Sequence, residues 1–98
     1  MPVMSEATLP DQQTYDSVLT KMFGSLQPED PPPGQLFHVA GEGPNGFRVI
    51  ALWDSQESFD RFVEGTLMPT MRELGVDRVP APKSYPVHNW FAPQTARV

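Results

Sequence analysis

The 98-residue chain contains no cysteine. That excludes disulfides and thiolate metal sites. Basic residues are few: seven Lys and Arg stand against twelve Asp and Glu, for a formal net charge of -5. They are scattered along the chain, and a nucleic-acid partner, which needs a basic patch, is not expected. No apolar run approaches the ~18 residues that mark a membrane-spanning helix. The opening stretch MPVMSEATLP has neither the charged nor the apolar region of a secretory signal, so a cytoplasmic location is the expectation. No HxH or HExxH spacing occurs, and a metal site is not expected.

Proline is plentiful, with twelve residues. They fall mainly between periodic segments and punctuate one domain, taken as residues 1–91 with a tail at 92–98. The 39% hydrophobic content supports a modest core.

The strongest signal is GFRVIALWDSQESFDRF, Gly46 to Phe62. Phe47 to Trp53 is apolar except at Arg48, so both faces of this strand are to be covered. Phe47, Val49, Ala51 and Trp53 share one face; Arg48, Ile50 and Leu52 share the other. One small sheet rarely covers both faces with its own helices, and a partner subunit is the natural cover for the second. Asp54 or Ser55 can cap the following helix, with Glu57 at capping-box spacing from Asp54. Phe59, Phe62, Val63 and Leu67 form its apolar stripe. Pro69 breaks or kinks it, Met71 and Leu74 continue the face, and Gly75 ends it.

The remaining elements follow in order. Val3 to Leu9 reads as a strand. Pro10 and Asp11 open a helix whose Tyr15, Val18, Leu19, Met22 and Phe23 recur at helical spacing, with Gly24 as its stop. QPEDPPPG (27–34) is a stiff loop. Leu36 to Ala40 is a strand joined through GEGPNG (41–46) to Phe47–Trp53 as a hairpin. No helix start follows those glycines to receive a phosphate. Tyr85 to Phe91 (YPVHNWF) reads as the last strand, its Pro86 favouring an edge. Strand, helix, strand, strand, helix, strand is the ferredoxin-like βαββαβ order, an α+β fold with a four-stranded antiparallel sheet.

That order, with LWDSQESFDRF after a buried strand, resembles the dimeric α+β barrel superfamily, which includes the antibiotic-biosynthesis monooxygenases. The matching features are Trp53, the Asp54–Ser55 cap, Phe59 and Phe62, and the likeness covers roughly residues 2 to 91. It implies a homodimer joined through its sheet faces. A pocket for a small hydrophobic or aromatic ligand is implied between each sheet and its helices, with Trp53 facing that pocket. Haem-degrading members carry an Asn in the first strand and a His late in the second helix; Ala7 and Arg72 occupy those positions here. A His that many monooxygenase members carry after the Trp is Phe62 in this chain. No haem and no other cofactor is therefore expected.

Two histidines are the candidates for proton chemistry. His38 lies mid-strand, either satisfied by a hydrogen bond or acting as a pocket acid/base. His88, beside Asn89, is either an edge residue at a dimer seam or a second titrating group. Strands two and four are opposite edges of the expected sheet, so three strand spacings put these histidines roughly 14 Å apart. Phe37, Trp53, Phe59, Phe62, Met68 and Met71 are the candidate ligand contacts, with Arg72 for a carboxylate or phenolate and Asn89 for a polar group. Two functions stay open. One is a cofactor-independent enzyme, monooxygenase-like or an isomerase or cyclase, acting on an aromatic or polyketide-like molecule. The other is a non-catalytic homodimer that binds a small hydrophobic ligand or serves as an accessory subunit.

Overall fold

A computed structural model describes residues 1–76 and 78–92. Strand β1 spans Val3–Leu9, helix α1 Gln12–Phe23, β2 Gln35–Gly43, β3 Gly46–Trp53, α2 Gln56–Phe62, α3 Met68–Glu73 and β4 Lys83–Pro86. The four strands form one antiparallel sheet in the order β2-β3-β1-β4. The ferredoxin-like α+β fold is thus present, and β2 and β4 are opposite edges.

Local chemistry sets the ends of the helices. The Asp11 carboxylate accepts from the Thr14 backbone N–H at 2.8 Å and from its hydroxyl at 2.7 Å, satisfying first-turn donors that have no helical partner. Gly24 closes α1 in the left-handed conformation, φ 73°. At α2 the cap is Ser55, whose hydroxyl accepts from the Ser58 N–H. The spacing of Asp54 and Glu57 had suggested Asp54 as an alternative cap. Asp54 instead receives the Ser55 hydroxyl at 3.1 Å, and its own N–H donates to the Gly34 carbonyl at 2.8 Å. That bond ties the proline loop to the start of α2. Gly34 has φ 89°, and a Cβ there would run into the Ser58 side chain, so no larger residue fits.

Between α2 and α3 the backbone forms a π-turn over Val63–Leu67, in which the Met68 N–H reaches back to the Val63 carbonyl. The helix neither breaks nor simply kinks at Pro69. Proline has no N–H, and in a regular helix its ring would strike the carbonyl four residues back. The wider turn ahead of it opens that position while the axis continues.

Two strands differ from their expected bounds. β2 runs on to Gly43, because its register with β3 continues to Gly43↔Gly46. β4 is Lys83–Pro86, not Tyr85–Phe91. It runs antiparallel to β1, and Pro86 already pairs with Val3. One further bond, from the Val87 N–H to the Pro2 carbonyl, exhausts the partner strand. His88, Asn89, Trp90 and Phe91 therefore lie beyond the sheet and exposed. The expected tail lies outside the described residues from 93 onward.

The helices cover one sheet face and form two clusters there. Leu9, Tyr15, Val18, Leu19, Phe47 and Met71 make one. Val3, Ala51, Trp53 and Phe59 make the other. The opposite face carries Met4, Val39, Ile50, Leu52 and Tyr85, as the strand registers dictate. No helix of the described residues lies on it; Val39 is 47% and Tyr85 40% exposed. No helix of the described residues is long and apolar enough to cross a membrane.

Candidate functional site

Between the two clusters the sheet is floored by small side chains. Ser5 and Ala7 on β1 stand opposite Ala51 and Val49 on β3. Large residues flank them at both ends: Leu9 with Phe47, and Val3 with Trp53. The helices rest on the large ends and leave a space over the small middle. This cavity has a volume of about 370 Å³, within the usual range for a small-molecule site. Leu67, Met68 and Met71 wall it on the helix side, and Pro31, Pro32, Pro80 and Pro82 border it from two loops.

Its indole wall is fixed. Trp53 is the most buried large side chain, 1% exposed. Its Nε1 donates to the Ser5 hydroxyl at 2.9 Å. Phe62 and Phe59 pack against its ring at centroid distances of 5.2 and 5.8 Å. A buried indole N–H without a partner is costly, so Ser5 holds the ring orientation as well as its polarity.

The titratable feature of the wall, among the described residues, is a pair. Tyr15 Oη lies 2.6 Å from His38 Nε2, and both residues line the cavity. Tyr15 comes from α1 and also packs its ring on Phe47. His38 comes from the edge strand β2, opposite Ala51. It is exposed as a residue, while its ring is partly covered where it meets Tyr15. Burial pushes the His38 pKa below its ordinary 6.5. Burial, then the nearby Asp16 charge, pushes the Tyr15 pKa above 10.0. Both groups are therefore neutral near pH 7. With the imidazole proton on Nδ1, Tyr15 donates to Nε2. With it on Nε2, the imidazole donates to Tyr15 Oη and Nδ1 is free as a base.

The structure brings together Phe37, His38, Trp53, Phe62, Met68 and Met71 around the cavity. Phe37 stands opposite Leu52, so it shares the open face with Val39, is 53% exposed and borders the cavity only from the free edge of β2. Phe59 does not line the cavity; it backs Trp53. Arg72, His88 and Asn89 do not line it either and are exposed. Arg72 lies next to Met71 in α3, and since Met71 is the buried one, Arg72 points elsewhere. His88 and Asn89 are removed by the early end of β4. Tyr15 and Ser5 were not among the expected contacts. Tyr15 sits on the apolar stripe of α1, and a buried tyrosine hydroxyl needs a partner; that was the available signal. Among the described residues, no cluster of His, Cys, Asp and Glu is placed to hold a metal.

No family model and no curated protein sequence matches the chain. Solved structures do match in fold. Rv0793 from Mycobacterium tuberculosis is 15% identical, with a TM-score of 0.63 over 94% of this chain and 100% of its own. The heme-degrading protein Rv3592 of the same organism, in a heme-free form, is 14% identical, with a TM-score of 0.57 over 94% and 100%. SnoaB, a cofactor-independent oxygenase from Streptomyces nogalater, is 12% identical, with a TM-score of 0.56 over 91% and 93%. The chain shares the α+β fold of the antibiotic-biosynthesis-monooxygenase-like proteins.

Proposed function

We propose that this chain is a small cofactor-independent oxygenase acting on an apolar aromatic molecule held between the sheet and the helices. The observation that carries this reading is the Tyr15–His38 pair on the wall of a mainly apolar cavity whose lining, among the described residues, holds no Asp, Glu, Lys or Arg. The likeness in fold to a cofactor-independent oxygenase supports it. His38, neutral near pH 7, takes a proton from the substrate. The resulting carbanion or enolate donates an electron to dioxygen, and the substrate itself supplies the reducing equivalents. Trp53, Phe62, Met68 and Met71 exclude water and hold the ring.

Haem, suggested by one structural neighbour, does not fit these residues. The Nε2 of His38 is already bonded to Tyr15. No Lys or Arg lines the cavity among the described residues to meet two propionates.

The working form is a homodimer joined through the open sheet face, where Met4, Val39 and Tyr85 are exposed. The test is aerobic incubation with anthrone. Its CH₂ group is oxidised to C=O, and one dioxygen yields the anthraquinone oxygen and one water. Wild-type protein is expected to accelerate oxygen uptake and anthraquinone formation, and His38→Ala to abolish the acceleration with the dimer intact. Equal rates with and without protein, while the dimer binds the compound, would leave the non-catalytic ligand-binding dimer as the better reading.

A further inference from the structure

The cavity lining contains no Asp, Glu, Lys or Arg among the described residues. Among the described residues its titratable groups are Tyr15 and His38, and they are bonded to one another. The rim adds prolines, which have no N–H to offer an anion, and the neutral amides of Gln27 and Gln35, which bring no counter-charge. A charged ligand group placed here would lose its water and gain no counter-ion, which is strongly unfavourable. The pair, by contrast, presents open hydrogen-bonding capacity of both kinds. With the imidazole proton on Nδ1 it offers an N–H and the lone pairs of Tyr15 Oη. With the proton on Nε2 it offers a bare Nδ1 and the Tyr15 O–H. A hydroxyl, which both donates and accepts, is satisfied by either arrangement.

From this geometry we infer that the cavity selects an uncharged, largely apolar molecule bearing a hydroxyl, read by the Tyr15–His38 pair, and rejects carboxylated and phosphorylated analogues of the same shape. The inference rests on the cavity being a ligand site. It differs from the reaction in that it concerns which molecules enter, whatever then happens to them. Tyr15 becomes a specificity-determining residue.

Three probes of one size separate the contributions: 2-naphthol, naphthalene and 2-naphthoate, titrated at pH 7 against the full chain by protein-observed NMR. 2-Naphthol is expected to bind at least about tenfold more tightly than 2-naphthoate, the cost of an unpaired buried charge. It is expected to bind about fivefold more tightly than naphthalene, the net value of a hydrogen bond. Tyr15→Phe is expected to erase the gap between naphthol and naphthalene while leaving naphthalene binding unchanged. Leu36→Arg adds a cation at the exposed part of the lining, where folding is not at stake, and is expected to raise 2-naphthoate affinity about tenfold with little change for naphthalene. Wild-type 2-naphthoate binding equal to or tighter than 2-naphthol would overturn the charge selection. A hydroxyl preference that persists in Tyr15→Phe would overturn the role of the pair. Silence with all three probes would instead remove the ligand-site reading, and the selectivity with it. Failure to oxidise anthrone, with the probe ranking intact, would remove the oxygenase reading alone.

Discussion

The two faces of the one sheet are built by opposite rules. On the helix side the central positions are small, Ser5, Ala7 and Ala51, and the helices span a cavity above them. On the other side the central positions are large, Ile50 and Leu52 flanked by Met4, Val39 and Tyr85, and no helix of the described residues spans them. The first face has its cover but keeps space beneath it. The second has filled its surface but lacks cover. A single strand, β3, supplies both, because alternate residues of a pleated strand face opposite ways. The difference teaches that apolarity alone does not separate a cavity floor from an open sheet face: the size of the residues does.

The largest disturbance is expected on the covered face. Trp53→Ala removes the wall shared by the cavity and the Phe59–Phe62 packing, and should cost about 3–5 kcal/mol of folding stability, read as a lowered denaturant midpoint. Ser5→Ala leaves the Trp53 N–H buried without its acceptor and should cost about 1–3 kcal/mol in the same measurement. On the open face, Val39→Glu should leave the thermal midpoint of the monomer nearly unchanged. It should weaken self-association at least tenfold, or about 1.4 kcal/mol, in sedimentation velocity. A variant that sediments like wild type would remove the proposed joining of sheet faces.

The smallest effect is one of pH. The depressed His38 pKa means that the unfolded chain binds this proton more readily than the folded one. The contribution is present above pH 6.5, the unfolded value, and is lost as pH falls through the folded value. Tyr15 behaves in the mirror sense: its contribution is present below pH 10.0, its unfolded value, and is lost as pH rises through the higher folded one. Comparing the melting temperatures of wild type and His38→Leu between about pH 7.5 and 5 should show an acid-side slope in wild type that the variant lacks. Parallel curves would mean that the imidazole is as solvated in the fold as out of it.

The elements that repeat a period were legible in the sequence. The stripe of α1, the apolar run of β3 and the order of strands and helices all rest on spacing within one segment. What was not legible depends on pairing between distant segments. The end of β4 is set by where β1 starts, which YPVHNWF does not encode, and so His88 and Asn89 fall outside the site. The Tyr15–His38 bond joins residues 23 positions apart. The cavity arises because small residues on β1 and β3 come into register, and alanines in separate strands carry no periodic signature. Trp53 and Phe62 were legible because a strand-end tryptophan and a helical stripe must both face the same interior.

The π-turn at Val63–Leu67 has a consequence for helical phase. Phe59 and Met71 are both buried against the sheet, yet twelve residues separate them. At about 100° per residue a regular helix would set them about 120° apart, and one of the two would leave the interior. The turn holds one residue more than a regular helical turn, which subtracts about 100° and returns Met71 to within a narrow arc of Phe59. Winding the same residues as a regular helix, with none removed, would therefore carry Met71 out of the chamber and bring Thr70, eleven positions from Phe59, into its place. Deleting Gly65 and restoring regular winding would instead set Phe59 and Met71 eleven positions apart, about 20° out of phase, and would keep the thioether wall in place on a helix one residue shorter.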